Sequence, residues 1–214
     1  MGFRRLRSFL APFALALVFT AFAPAAAQDV ASRTQHAPLA FTALPADQQA
    51  QLDELEHRTF QFFWDTANPV NGLVPDHWPG QSFSSIAAVG FGLTAYGIGA
   101  ERGWISREQA VHRTLVTLRF FADSPQNASE DDATGYRGFY YHFLDMQTGL
   151  RHGRGVELSS IDTTLLLGGV LFAQSYYDRD TPQEKEIRAL ADTLYRRVDW
   201  PWMQARPPLV SMGW

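Results

Sequence analysis

The 214-residue sequence contains no cysteine, so neither a disulfide framework nor a lipid-modified cysteine anchor is open to it, and packing alone has to hold the fold. Basic residues are few: 18 Lys and Arg stand against 22 Asp and Glu, and beyond Arg4, Arg5 and Arg7 they form no cluster. That balance leaves no electrostatic footprint for nucleic acid. No glycine-rich phosphate loop follows a strand pattern, and there is neither a Gly-x-Ser-x-Gly nor a cysteine nucleophile. No pairing of histidines with acids has zinc spacing, so neither a metal nor a cofactor is expected. Heptads, low-complexity tracts and short repeats are missing too. The apolar run at residues 9–22 is short of the roughly 20 residues that a membrane-spanning helix needs.

Preceded by three arginines and followed by Ala25-Ala26-Ala27, that run reads instead as a secretory signal at residues 1–27. Cleavage after Ala27 would give a periplasmic or secreted protein that begins at Gln28. Residues 28–46 are a polar lead-in rich in Ala, expected to be poorly ordered.

From Asp47 onward the pattern is helical. Residues 47–66 place Leu52, Leu55, Thr59 and Phe62 on one face, with Asp47 as the cap, and the run stops before Asn68-Pro69. Residues 85–102 form a helix with Ser84 as cap; Ile86, Val89, Leu93 and Tyr96 share a face. Gly90 and Gly97 lie two turns apart beside it, where each costs about 1 kcal/mol relative to Ala, and close approach of another helix is the expected compensation. Residues 106–122 open with a Ser106/Gln109 capping box and bury Val111, Leu115, Leu118 and Ala122. Residues 182–198 follow a second box, Thr181 with Glu184, and bury Ile187, Leu190, Leu194 and Val198.

Between these lies the stretch on which the reading of function rests. Residues 139–144 are aromatic and extended, and Asp145-Met146-Gln147-Thr148-Gly149 has the composition of a tight turn. A helix at residues 158–177, apolar on every side, follows with Ser159 or Ser160 as cap. Asp145, Glu157 and Asp162 thus gather on one strand, turn and helix start. Glycoside hydrolysis takes two carboxyl groups, one protonated and one ionised. Asp162, in a first turn whose dipole favours its charged form, suits a base or a sugar-hydroxyl acceptor, or is simply a first-turn acid. Glu157 lies just outside the helix and suits the proton donor, or is a solvated loop residue. Asp145 is either a third catalytic candidate or the acceptor of an Asx turn. Asp65, Trp78, Arg137, Tyr141 and Arg151 are candidates for binding sugar hydroxyls or ring faces, and His142 is either such a contact or a satisfied strand histidine.

The segments FQFFWDTANPVNGLVPD, SIAAVGFGLTAYGIGAERGWISR, GYRGFYYHFLDMQTGLR and ELSSIDTTLLLGGVLFA, in that order between Leu52 and Trp214, resemble the bacterial glucoamylase-like family. That family includes secreted endo-β-1,2-glucanases and the hydrolase-like domains of cyclic β-1,2-glucan synthases. The resemblance implies an all-α (α/α)6 barrel with an acid-lined sugar cleft, interrupted by a short β-hairpin, and an inverting hydrolase of β-1,2-linked glucan that is a monomer when complete. Helices of two kinds alternate along the chain, all-apolar and amphipathic, as concentric rings require. Five helices are fewer than the twelve of a full barrel, so residues 47–214 are expected to be its N-terminal part. Residues 28–214 alone would then expose apolar helix faces, be poorly stable, and lack activity. A non-catalytic glucan-binding domain and a chain-trimming domain associated with glucan synthesis remain open as alternatives.

Overall fold

Two helices that lack a polar side run against each other at the centre of residues 45–214: α2 (Ile86–Glu101) and α4 (Ser160–Tyr176). The computed structural model describes residues 40–80, 82–129 and 131–214, so the signal at residues 1–27 and most of the lead-in lie outside the described residues. A short 3-10 turn, Phe41–Ala43, belongs to a separate unit that ends at Leu44. Glycine is what allows α2 and α4 to meet. A Cβ added at Gly169 would come within 2.1 Å of the Gly90 carbonyl oxygen, and one at Gly90 within 2.4 Å of the Leu165 carbonyl oxygen, so the two backbones are in contact. The expectation for Gly90 and Gly97 is met, since Gly97 likewise makes room for the Phe172 ring.

Around this pair lie α1 (Ala46–Thr66), α3 (Arg107–Asp123) and α5 (Pro182–Arg197). Helix α1 packs on α2, α3 packs on α2 and α5, and α5 also packs on α4. The chain is therefore mostly helical. Phe91 and Ile98 of α2 and Ile161 and Leu165 of α4 are exposed, so neither apolar helix is covered all round. Among the described residues no helix is long and apolar enough to cross a membrane.

Helix ends follow the sequence in part. Ser106 and Gln109 make both halves of the capping box of α3. Thr181 caps α5 by accepting from the Glu184 amide, but the Glu184 carboxylate does not return to the cap. It is buried and accepts from the Arg107 guanidinium at 2.8 and 3.0 Å and from the Arg179 amide at 2.8 Å. Those hydrogen bonds, the Arg107 pair foremost, hold the carboxyl below the usual glutamate range. Ser84 is not a cap: it is in a strand, the cap position of α2 is Ser85, and neither its side chain nor Asp47 of α1 makes a capping bond. The face expected for α1 is also corrected. Leu52 and Leu55 are exposed, and Phe60 is the buried residue, seated against Gly99 and 5.2 Å from the Trp104 ring. Large rings near the helix C-terminus reach a partner where the aliphatic residues before them do not.

The extended stretch is divided between two small sheets. Strand β1 (Ser84–Ser85) pairs antiparallel with β4 (Phe143–Leu144). Strands β2 (Gly135–Tyr136), β3 (Phe139–Tyr141) and β5 (Leu158–Ser159) form the other sheet, β3 in the middle and both pairings antiparallel. His142 is the residue between β3 and β4. Its amide donates to the Glu157 carbonyl at 3.0 Å and its carbonyl accepts from the Ile86 amide at 3.2 Å, which ties the start of α2 to the segment ahead of α4. The C-terminal segment adds to the edge: Leu158 and Trp214 exchange two backbone hydrogen bonds, at 2.9 and 3.0 Å.

Candidate active site

Because His142 is held by its backbone on both sides, its ring is delivered to the point where β5 turns into α4. There Nδ1 lies 2.8 Å from Oε1 of Glu157 and Nε2 lies 3.5 Å from Oδ1 of Asp162. Asp162 is fixed by the helix itself. Its amide donates to Ser159 Oγ at 3.1 Å, and that hydroxyl donates to Asp162 Oδ2 at 2.6 Å, so one carboxylate oxygen is held at the helix N-terminus and the other faces the ring. Side-chain exposure falls along the row, 47% for Glu157, 27% for His142 and 14% for Asp162. The row thus runs from solvent into the protein, with Glu157 its most exposed member.

A cleft of about 1000 Å³, which none of these three residues lines, is walled by Arg58, Asp65, Trp78, Phe83, Asp145 and His152 among others. Its size is at the upper end of small-molecule sites. Trp78 is exposed there, and a free indole face is suited to stacking on the apolar face of a sugar ring. The cleft and the row are linked through aromatic rings. Phe83 on the cleft wall is 4.4 Å from Phe143 and 4.8 Å from His152, and Phe143 stacks on His142 at 3.7 Å with 20° between the planes.

The structure sorts the sequence candidates. Glu157, Asp162 and His142 come together; Asp65, Trp78 and Asp145 share the cleft. Asp145 makes its turn: Oδ1 accepts from the Gln147 amide at 3.0 Å, the Thr148 amide at 2.8 Å and the Thr148 hydroxyl at 3.0 Å. The Thr148 amide bond is the main reason its carboxyl is held below the usual range. Four of the binding candidates are engaged within the protein. Tyr141 is buried and its ring is covered by the Arg151 guanidinium at 4.4 Å, so no face is open to a sugar. Arg151 is itself engaged, Nε donating to the Val156 carbonyl at 2.7 Å and Nη2 to the Arg154 carbonyl at 2.6 Å. His142 fits the reading of a satisfied strand histidine, its Nδ1 hydrogen-bonded with Glu157 at 2.8 Å and its Nε2 3.5 Å from Asp162. Arg137 pairs with Asp199 at 2.8 Å and lies over Tyr136 and Trp202, where it supports the C-terminal aromatic cluster.

Phe83, His152 and Arg58 were not singled out by sequence reasoning. For His152 a signal exists: a hairpin turning at 145–149 places residue 152 opposite residue 143, and the His152 amide donates to the Phe143 carbonyl at 3.0 Å. Asn68 and Asn71, whose side-chain amides donate to the Met146 carbonyl at 2.7 and 3.1 Å, carry no such signal because the contact is made from a distant loop.

No family model matches the chain. Over 168 residues, 75% of its length, it is 31% identical to an exo β-1,2-glucooligosaccharide sophorohydrolase (non-reducing end) of Parabacteroides distasonis, of which it spans 22%. A glucoamylase-like structure from Bacteroides uniformis superposes on 80% of the chain with a TM-score of 0.70 at 27% identity, and the match covers 40% of that structure. The endo-β-1,2-glucanase of Chitinophaga pinensis, solved with sophorotriose and glucose, superposes on 80% of the chain with a TM-score of 0.65 at 28% identity, with 41% of its own length covered. The chain therefore spans about a fifth of the first of these proteins and about two fifths of the other two. Motifs, helical architecture and these likenesses agree in one conclusion: over some three quarters of its length the chain is similar to the bacterial glucoamylase-like family.

Proposed function

We propose that the chain is the N-terminal part of an (α/α)6-barrel glycoside hydrolase that cleaves β-1,2-linked glucan, with Glu157 as the proton donor. The observation that carries this reading is the Glu157 carboxyl, the solvent-facing end of a row anchored by His142 and Asp162 and linked through aromatic rings to the cleft. The linkage is supported by the names of the relatives, which act on β-1,2-glucan or its oligosaccharides. Export is supported by the sequence of residues 1–27.

Within this reading the roles of the two acids differ from those expected of a matched pair. An inverting pair stands about 6.5 to 9.5 Å apart so that water can enter on the far side of the sugar. A carboxylate oxygen of Glu157 and one of Asp162 lie within 4.8 Å of each other, and each residue approaches a different nitrogen of the His142 ring. Asp162 is thus a support for the donor and not its opposite number. The inverting base is then another carboxylate, and Asp65 and Asp145, which line the cleft, are the candidates in this chain.

The test uses the full-length protein on linear β-1,2-glucan, with β-1,3- and β-1,4-glucans as controls, and follows reducing-sugar release. Glu157→Gln is expected to lower turnover on the β-1,2 substrate by about two to four orders of magnitude, with the melting temperature unchanged. Binding of β-1,2-glucan without release of sugar by the parent would point to a non-catalytic glucan-binding domain instead. Turnover in Glu157→Gln within about threefold of the parent would remove Glu157 as the donor.

A further inference from the structure

The Glu157 side chain is 47% exposed, so burial does not choose its rotamer. Its backbone is held, since the Glu157 carbonyl accepts from the His142 amide at 3.0 Å and the next residue, Leu158, exchanges two hydrogen bonds with Trp214. The carboxyl is tied at one point, Oε1, which lies 2.8 Å from His142 Nδ1. Between backbone and carboxyl runs the Cβ–Cγ stem, and what bounds the stem is residue 213. A Cβ added at Gly213 would come within 2.9 Å of Glu157 Cγ and 3.4 Å of Glu157 Cβ, with the Leu158 carbonyl oxygen at 3.2 Å. Strand pairing accounts for this closeness. Gly213 is the antiparallel bridge partner of Ser159, and Glu157, two residues before Ser159, shares its face.

We propose that Gly213 is a positioning residue for the proton donor: by presenting no side chain it leaves the space that the Glu157 stem occupies, and so sets the rotamer from which the carboxyl works. The inference rests on the reading of Glu157 as the donor. Gly213 itself has no side chain to offer a substrate, and it acts through the Glu157 stem alone. A donor has to meet the glycosidic oxygen within hydrogen-bond reach, and a displacement of about 1 Å in a reacting group can cost about 100-fold in rate.

The segment that carries Gly213 is fixed on both sides of it. The Met212 carbonyl accepts from the Ser160 amide at 3.1 Å, which satisfies the first amide of α4. The Trp214 amide and carbonyl are both bonded to Leu158, the Ser211 carbonyl accepts from the Ser160 hydroxyl, and the Ser211 amide donates to the Met203 carbonyl at 3.0 Å. A methyl group at residue 213 is therefore accommodated by the Glu157 side chain, which is half-open to solvent and has room to turn. Turning the stem carries Oε1 away from His142. Backbone conformation does not demand glycine here, because Gly213 is not among the residues with positive φ; the nearness of the Glu157 stem is what excludes a side chain.

The experiment measures kcat and KM of the full-length parent, Gly213→Ala, Glu157→Gln and the double variant on a β-1,2-glucooligosaccharide. Gly213→Ala is expected to lower kcat about 10- to 100-fold with KM within about threefold of the parent. It should add no further loss to Glu157→Gln, where no donor proton is left to place. A kcat within about threefold of the parent, a rise in KM alone, or the same loss in both backgrounds overturns the proposal. Full activity in Glu157→Gln overturns the underlying reading instead. Thermal melts give a readout apart from activity. Glu157→Ala removes Cγ, so the lowering of the melting temperature by Gly213→Ala in the parent should largely vanish in the Glu157→Ala background, and equal lowering in both contradicts the proposal. Should Gly213→Ala fail to fold, the same pairing decides: a folded Gly213→Ala, Glu157→Ala double variant supports the contact, and an unfolded one contradicts it.

Discussion

Ser85 at the start of α2 and Ser159 at the start of α4 have the same backbone conformation, φ −95° in both with ψ 127° and 124°, and each is the last residue of a two-residue strand that pairs with the aromatic stretch 139–144. Both helices are apolar, and each meets the other through glycine. The difference lies at the third helical residue, Ala88 in α2 and Asp162 in α4. At α2 the cap serine makes no side-chain capping bond, whereas at α4 Ser159 accepts from the Asp162 amide and donates to its carboxylate. One start of helix is therefore enough to show that the strand-to-helix turn forms without a charge. Asp162 is an addition to that turn, and its free oxygen faces His142.

Steric substitutions should separate the two helices most strongly. Gly169→Ala places a methyl group against the Gly90 backbone, which cannot move aside as a side chain can, and is expected to lower stability by about 1–3 kcal/mol. Its neighbour Gly168 has nothing within 4 Å of an added Cβ. Gly168→Ala should raise stability by about 0.5–1 kcal/mol through helix propensity alone. Thermal melts of the two variants of the full-length protein check this, and equal shifts would mean that α2 and α4 are not in backbone contact.

A smaller effect bears on the caps themselves. Ser159→Ala removes a made capping bond and should cost about 0.5–2 kcal/mol, while Ser85→Ala, which removes none, should stay within about 0.5 kcal/mol of the parent. Denaturant titration of both variants makes the comparison. A Ser85→Ala loss as large as that of Ser159→Ala would show that the two turns are held in the same way after all.

Much of this frame can be read from the sequence because its signals are local. The Ser106/Gln109 box, the Pro182 start and the apolar character of α2 and α4 each depend on residues a few positions apart, and each is realised. What is not legible depends on distant partners. Glu184 has the spacing of a capping box but answers to Arg107, 77 residues away, and Leu52 and Leu55 have helical spacing but are left exposed by the described residues. The site divides along the same line. Glu157 and Asp162 stand out as acids bracketing the start of an apolar helix. The part of His142 does not, because it follows from a stretch that changes sheets at that residue, and no alternation within 139–144 marks the change.

The most direct test of the central claim is a crystal structure of the full-length Glu157→Gln protein with a β-1,2-glucooligosaccharide bound. A glycosidic oxygen is expected within hydrogen-bond reach, about 2.6 to 3.2 Å, of the residue 157 side chain, with the sugar chain continuing along the cleft past Trp78 and Asp65. A fully occupied oligosaccharide that leaves residue 157 untouched, or that lies on another face of the protein, would contradict the account.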